Sequence, residues 1–282
     1  MQTIYYDDAG AEPRAFDLAF PDVVSRHPIA LVHGGGWNAG DRSAYHPLLR
    51  WFVDHGHPCA TIGYRTASGT SIEQKIADVS TGYLGFQDAL AERNLGAPVL
   101  MGSSAGAHLV SLIAEAGPGK WAPELAHRWV PPAACIPVNG PGTLEYWDGI
   151  HPNIQEAIED MCGASYGETT EPFSAISPHN LVPDAPLSPF LILLAETEKV
   201  FPHAYVYAWA DILRANGTQT MVEVVPGSEH GFLYNPDGDA QRYALNKVEE
   251  FLTSLERSNK SVDLASTRPG RTPLTSRRNG RK

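Results

Sequence analysis

Two pentapeptides of the form Gly-x-Ser-x-Gly occur in the 282-residue chain, Gly102-Ser103-Ser104-Ala105-Gly106 and Gly163-Ala164-Ser165-Tyr166-Gly167. The chemistry such a motif offers is nucleophilic attack by the serine hydroxyl. It works only where a sharp turn between a strand and a helix pushes Oγ into the open, and small residues two before and two after let the backbone make that turn. Ser104 has the apolar run Pro98-Val99-Leu100-Met101 before it and Ala107, Leu109, Val110, Leu112 and Ile113 after it, a strand, turn and helix pattern. Ser165 follows the helical stretch Ile154 to Met161 and runs into Thr169-Thr170-Glu171-Pro172, so it reads as a surface serine between turn glycines. A second signal is His33-Gly34-Gly35-Gly36-Trp37. Acyl transfer passes through a tetrahedral oxyanion that needs preorganised N–H donors, and glycines let a backbone approach a substrate closely. A phosphate loop would want a Lys-Ser/Thr pair or G-x-G-x-x-G at a helix start, and neither is present.

These residues need elements to position them. Pro28–Val32, Cys59–Tyr64, Pro98–Met101, Ala133–Val138, Phe190–Leu194 and Thr220–Val225 have strand length and composition. Between them, Ile72–Arg93, Ser104–Ala116, His203–Ala215 and Ala240–Leu255 have helical spacing; Ile72, Ile76, Val79, Tyr83, Phe86 and Leu90 recur at three- and four-residue steps. Strand and helix in alternation predict an α/β fold with a mostly parallel central sheet and helices on both faces. Residues 141–184 break the rhythm and read as a small cap insertion, with a helix near Ile154–Met161, over the carboxyl edge of the sheet.

Composition narrows the function classes. Hydrophobic residues at 43% allow a sizeable core, and 32 acidic against 21 basic residues argue against a nucleic-acid or anionic-membrane partner. There is no run of eighteen apolar residues, and the first residues lack the charged and apolar regions of a secretory signal. Cys59, Cys135 and Cys162 are scattered, which predicts neither a disulfide framework nor a metal cluster and makes a cytoplasmic location the default. Residues 259–282 carry seven basic residues and one acid with little apolar content, so residues 1–258 are expected to form the domain and 259–282 a disordered basic tail.

The chain resembles the alpha/beta-hydrolase superfamily, in its esterase/lipase branch of hormone-sensitive-lipase-like, feruloyl- and acetyl-esterase-like carboxylesterases. The residues that carry the resemblance are His33 to Trp37, Gly40-Asp41-Arg42, Tyr64-Arg65, Gly102 to Gly106, Ser177-Pro178 and Glu229-His230-Gly231-Phe232, across roughly residues 16–255. It departs at Thr66-Ala67-Ser68-Gly69, where the branch usually has Leu-Ala-Pro-Glu, and by a Glu at the acid position. The resemblance implies that the N–H groups of Gly35, Gly36 and Ala105 form the oxyanion hole. The fold's chain order of Ser, acid, His leaves His203 and His230 as possible bases. His203 follows Pro202 at a helix start, whereas His230 sits in the loop after a strand, so His230 is the expected base; His33 and His108 read as structural, His55 and His57 as surface residues. The family pattern Gly-x-x-Asp aligns Ala195 with its Gly and Glu198 with its Asp, with Glu196 as the rival.

The resulting expectation is a cofactor- and metal-independent serine hydrolase acting on short-chain or aromatic carboxylic esters through Ser104, His230 and Glu198. Trp37, Trp147 and Phe232 are candidates to line the substrate pocket, although aromatic rings are as readily core packing. The alternatives are an amidase such as a kynurenine formamidase, which shares the Ser104 to Leu109 pattern, and a non-catalytic ligand-binding protein on the same scaffold. The presence of His230 weighs against the latter.

Overall fold

Strand β5 (Val99–Ser103) lies at the middle of an eight-stranded sheet, and all five of its residues are buried. That explains its unbroken run of apolar and small residues, since a strand covered on both faces has no polar side to show. The computed structural model describes residues 1–7 and 14–266, with side chains up to Arg257. In chain order the strands are β1 (Gln2–Asp7), β2 (Arg14–Ala19), β3 (Ile29–Val32), β4 (Cys59–Ile62), β5, β6 (Cys135–Val138), β7 (Phe190–Thr197) and β8 (Thr220–Glu229). The helices are α1 (His46–Asp54), α2 (Ile72–Ala91), α3 (Ala105–Ala116), α4 (Pro152–Cys162), α5 (Glu171–Ser174), α6 (His203–Ala215) and α7 (Asp239–Ser266).

The strand order is β1-β2-β4-β3-β5-β6-β7-β8. From β4 to β8 every pairing is parallel, while β1–β2 and β2–β4 are antiparallel. The chain winds one way through β3 and β4 and the other way from β5 to β8, so β3 and β5 are neighbours where the winding reverses. In an open α/β sheet the crevice for ligands opens beyond the carboxyl ends of the strands at that point. Val32 pairs with Gly102, which brings the ends of β3 and β5 level. The loop after β3 begins at His33 and the turn after β5 carries Ser104, so the two sequence signals meet there.

Local chemistry fixes the supporting helices. Ser71 caps α2, accepting from the Gln74 N–H while Gln74 accepts from the Ser71 N–H, a reciprocal pair worth about 1 kcal/mol. The expected stripe Ile72, Ile76, Val79, Tyr83, Phe86 and Leu90 is buried. Arg65, just past β4, grips Asp78 of α2 through Nε at 2.7 Å and Nη2 at 2.9 Å, and its own N–H bonds the same carboxylate at 3.0 Å. This forked pairing fastens α2 to the end of β4.

Several expectations change. The antiparallel hairpin β1–β2 and helix α1 were not read from the sequence. Strands β7 and β8 run on to Thr197 and Glu229, past the predicted ends at Leu194 and Val225, because they continue to pair as far as Thr197 opposite Glu229. His230 therefore follows a strand directly rather than sitting within a loop that starts at Pro226. Helix α7 extends to Ser266, past the expected Leu255; the side chains of the expected tail and all of residues 267–282 lie outside the described residues. The chain divides into two compact units, Met1–Leu245 and Asn246–Lys282, and the sheet and all candidate site residues belong to the first. No helix among the described residues is long and apolar enough to cross a membrane.

Candidate active site

Ser104 occupies the turn between β5 and α3 with φ 54° and ψ −120°, a left-handed-side conformation that is strained for any residue but glycine. The flanking glycines make the turn sterically possible. A Cβ on Gly102 would stand 2.4 Å from the Gly106 carbonyl oxygen, and one on Gly106 would stand 2.2 Å from that of Val32. The Ser104 N–H donates to Val138 O at 2.8 Å, and Ser104 O accepts the first helical bond of α3, from His108 N–H at 3.1 Å. The serine is thus fixed by β6 on one side and α3 on the other, with 8% of its surface exposed.

The imidazole of His230 bridges this serine to a carboxylate. Ser104 Oγ–H donates to His230 Nε2 at 2.9 Å, and His230 Nδ1–H donates to Glu198 Oε1 and Oε2 at 2.9 and 2.8 Å. Glu198 is in turn held by the N–H groups of Val200 and Phe201, at 2.7 and 3.2 Å. Burial raises the Glu198 carboxyl, but the His230 contact and the two backbone N–H groups outweigh it, and the net position is below the usual carboxylate range. Glu198 is therefore ionised at neutral pH. The Phe201 ring stands edge-on to His230, with centroids 5.7 Å apart.

The rivals lie elsewhere. Glu196 is exposed and accepts from the Gly227 N–H at 2.8 Å, bracing the end of β8 rather than the imidazole. Ser165 Oγ donates to Glu159 Oε1 at 3.1 Å, just beyond the α4 carboxyl end. His203 opens α6 with its ring edge-on to Tyr207.

The His33–Trp37 loop leaves β3 against the serine. A Cβ on Gly34 would meet Tyr234 Oη at 2.6 Å and Ser104 Cβ at 3.1 Å. Gly35 and Gly36 have φ of 122° and 57°, and nothing lies within 4 Å of a Cβ placed on Gly36, so the loop opens outward there. A cleft of roughly 500 Å³ is lined by Gly35, Gly36, Asn38 and Ala39 on one side and by Ser68 and the α4 residues Asn153, Ile154 and Ala157 on the other. Ala105 begins α3, where the first N–H groups have no intrahelical acceptor and carry the positive end of the helix dipole.

The pocket assignments change with burial. Trp37 is 0% and Trp147 3% exposed, both within the core and each edge-on to Phe201, so neither presents surface to a substrate here. Phe232 is half-buried. Two buried polar side chains lie beside the site: His108, read from the sequence as structural, and Lys75, which the sequence reading did not single out. The sequence did carry a signal for Lys75, a charge at position i+3 of the apolar stripe that starts at Ile72. Burial pushes the His108 imidazole down to about 4, partly offset by its bond to the Ile176 carbonyl. An unfolded histidine titrates near 6.5, so as pH falls from about 6.5 to 4 the unfolded chain takes up the proton first. His108 therefore contributes to stability above that window and loses on the order of 3 kcal/mol across it. His33, also lowered by burial, adds to the same slope. A His108→Gln variant is expected to show a flatter rise of Tm between pH 4 and 6.5 than the wild type; equal slopes would show that His108 is not held neutral.

A mostly parallel sheet with a serine on the β5–α3 turn defines this as an alpha/beta-hydrolase fold. The BD-FAE family matches residues 16–210, and the chain belongs to that family. Its fold is shared by a thermophilic esterase of the Planctomycetes species Thermogutta terrifontis. The propionate-bound form aligns at a TM-score of 0.73 and 22% identity, covering 90% of this chain and 94% of the other. The butyrate-bound form and the form phosphonylated by sarin each align at a TM-score of 0.74 and 21% identity with the same coverage. A search of curated proteins gives no match.

Proposed function

We propose that the chain is a serine hydrolase of short carboxylic esters that works through an acyl-enzyme. The observation that carries this reading is the His230 imidazole, within hydrogen-bond reach of Ser104 Oγ at 2.9 Å and of the ionised Glu198 carboxylate at 2.8 Å. Glu198 keeps the proton on Nδ1, which leaves Nε2 free to accept the Ser104 proton as Oγ attacks the ester carbonyl. The resulting oxyanion sits against the N–H groups of Gly35, Gly36 and Ala105. His230 then returns the proton to the departing alcohol, and water, deprotonated by the same imidazole, releases the acid. No step draws on a metal or cofactor, and among the described residues no three His, Cys, Asp or Glu side chains are grouped to hold a metal ion.

The structural relatives' bound propionate and butyrate support a short acyl group, and phosphonylation of the same esterase by sarin supports a nucleophile of this kind. Phe232, two residues past His230 in the chain and half-buried, is our candidate for the aromatic side chain that meets an acyl or alcohol group. The test is a substrate panel: p-nitrophenyl acetate, butyrate and decanoate, a feruloyl ester, an acetylated sugar and N-formylkynurenine. Short esters are expected to turn over fastest. Turnover of N-formylkynurenine alone would move the protein to the amidases, and turnover of none would leave a binding role.

A further inference from the structure

The oxyanion loop has three consecutive residues with positive φ, Gly35 at 122°, Gly36 at 57° and Trp37 at 63°. Two are glycines. Trp37 is not, and a large L-residue stays in that region only where its surroundings outweigh the strain. Its surroundings are the apolar core with the Phe201 ring edge-on and, within it, two buried polar groups. The indole Nε1–H donates to His108 Nδ1 at 3.2 Å, with the two rings nearly perpendicular and their centroids 5.6 Å apart. The Trp37 carbonyl accepts from Lys75 Nζ at 3.1 Å, and the same ammonium donates to the Arg65 carbonyl at 3.2 Å. Trp37, Lys75 and His108 all have 0% exposed surface. His108 Nε2–H donates onward to Ile176 O at 2.8 Å, which fixes the tautomer and leaves Nδ1 as the acceptor the indole needs.

The placement of these groups matters as much as their bonds. His108 lies on α3 one turn past Ser104, so the nucleophile's helix and the oxyanion loop share one tie. Lys75 lies on α2, which Arg65 and Asp78 fasten to the sheet. A buried ammonium is costly compared with an apolar chain of the same length, and the apolar stripe of α2 would accept methionine or leucine. What the ammonium does that they cannot is grip a carbonyl. A peptide whose carbonyl and side chain are both held cannot flip, and its glycine neighbours, the most mobile residues in any loop, inherit that restraint.

We propose that Lys75 and His108 are positioning residues that lock Trp37 and thereby preorganise Gly35 and Gly36 as oxyanion donors, an inference that rests on the serine-hydrolase reading above. Gripping Trp37 at both ends makes the donor array rigid before substrate arrives, the condition under which oxyanion stabilisation is effective.

The test uses Lys75→Met, His108→Gln and Trp37→Phe in the full chain; the last keeps an aromatic ring but removes the indole N–H together with part of the ring's volume, so its Tm is read beside its kcat. Each is assayed on p-nitrophenyl butyrate and on the matching thionoester, whose C=S sulfur is a poor hydrogen-bond acceptor. For Lys75→Met and Trp37→Phe, kcat on the ester is expected to fall about ten- to a hundredfold with KM little changed, somewhat less than for outright loss of a donor. The ester-to-thionoester rate ratio should fall with it, because the thionoester gains little from the donors at the outset. A lower Tm with wild-type kcat, or equal losses on ester and thionoester, would overturn the inference and leave the two residues as packing. His108→Gln can still pair with the indole and is expected to keep more activity than Trp37→Phe; the reverse order would count against the tie. Ser104→Ala assayed alongside separates the two levels. If it is inactive while all three variants behave as wild type, only the positioning inference fails; if it retains turnover, the hydrolase reading fails.

Discussion

Ser104→Ala is expected to abolish ester hydrolysis, while Ser165→Ala should leave it near wild type. Loss of the nucleophile in well-studied serine proteases costs on the order of a millionfold in kcat. The two serines sit in the same five-residue pattern, but their surroundings differ in kind. Ser104 is held at a strained turn with an imidazole nitrogen 2.9 Å from Oγ, ready to accept its proton. Ser165 has a carboxylate at 3.1 Å that serves to join its own hydroxyl and the Tyr166 N–H to α4. A fluorophosphonate probe followed by peptide mapping should label Ser104. Labelling of Ser165, or an inactive Ser165→Ala with an active Ser104→Ala, would overturn the placement of the nucleophile. The Ser104→Ala protein should remain folded, since the change removes a single hydroxyl and the backbone bonds to Val138 and His108 persist.

The second large effect is expected from the acid. A carboxylate on Nδ1 selects the tautomer in which Nε2 can accept the serine proton; an amide of the same size also permits the wrong tautomer, which in trypsin-type enzymes costs roughly ten-thousandfold in turnover. Glu198→Gln is therefore expected to lose most activity near neutral pH and to remain folded. Glu196→Gln should do far less, because that carboxylate reaches the Gly227 N–H and not His230. There is a stability consequence as well. The Glu198 carboxyl lies below its ordinary range in the folded protein, so the stability it contributes is present above the unfolded carboxylate's pKa and is lost as pH falls through the lower folded value. Glu198→Gln should accordingly reduce the steepness of acid unfolding. Glu198→Asp keeps the charge but shortens the reach by one methylene, and the Val200 and Phe201 N–H groups that hold the longer side chain would draw the shorter one back from the imidazole; partial activity is expected. Normal activity in both Gln variants would assign the acid to another strand.

The sequence alone was enough to place Ser104 on a strand-to-helix turn, because that turn is a local object. Its small residues stand at fixed offsets from Ser104, and a Cβ on Gly102 would clash with Gly106 of the same motif; the clash at Gly106, with Val32 and His33 at the end of β3, belongs instead to the tertiary structure. Chain order narrowed the base to His203 and His230, and the loop after a strand favoured His230, since such a group must leave the carboxyl end of a parallel strand to reach the crevice; Glu198 over Glu196 came from the family pattern Gly-x-x-Asp. The alternation of strand and helix was legible because fully buried strands are uniformly apolar and α2 keeps its stripe. The hairpin β1–β2 was not, as its strands mix charged, polar and apolar residues and gain their order by pairing at the sheet's edge with β4. Nor could the sequence say which aromatic rings face a substrate. Trp37 follows the glycines and looked like a pocket wall, yet its ring is buried because His108, 71 residues later, accepts its N–H. The role of Lys75 is likewise a matter of tertiary structure, since an ammonium in an apolar stripe has meaning only once the carbonyls of Trp37 and Arg65 are brought to it from another strand's loop and the end of β4. Contacts between residues so far apart in the chain leave no periodicity or spacing to read; they exist only when the packed sheet has set the distances.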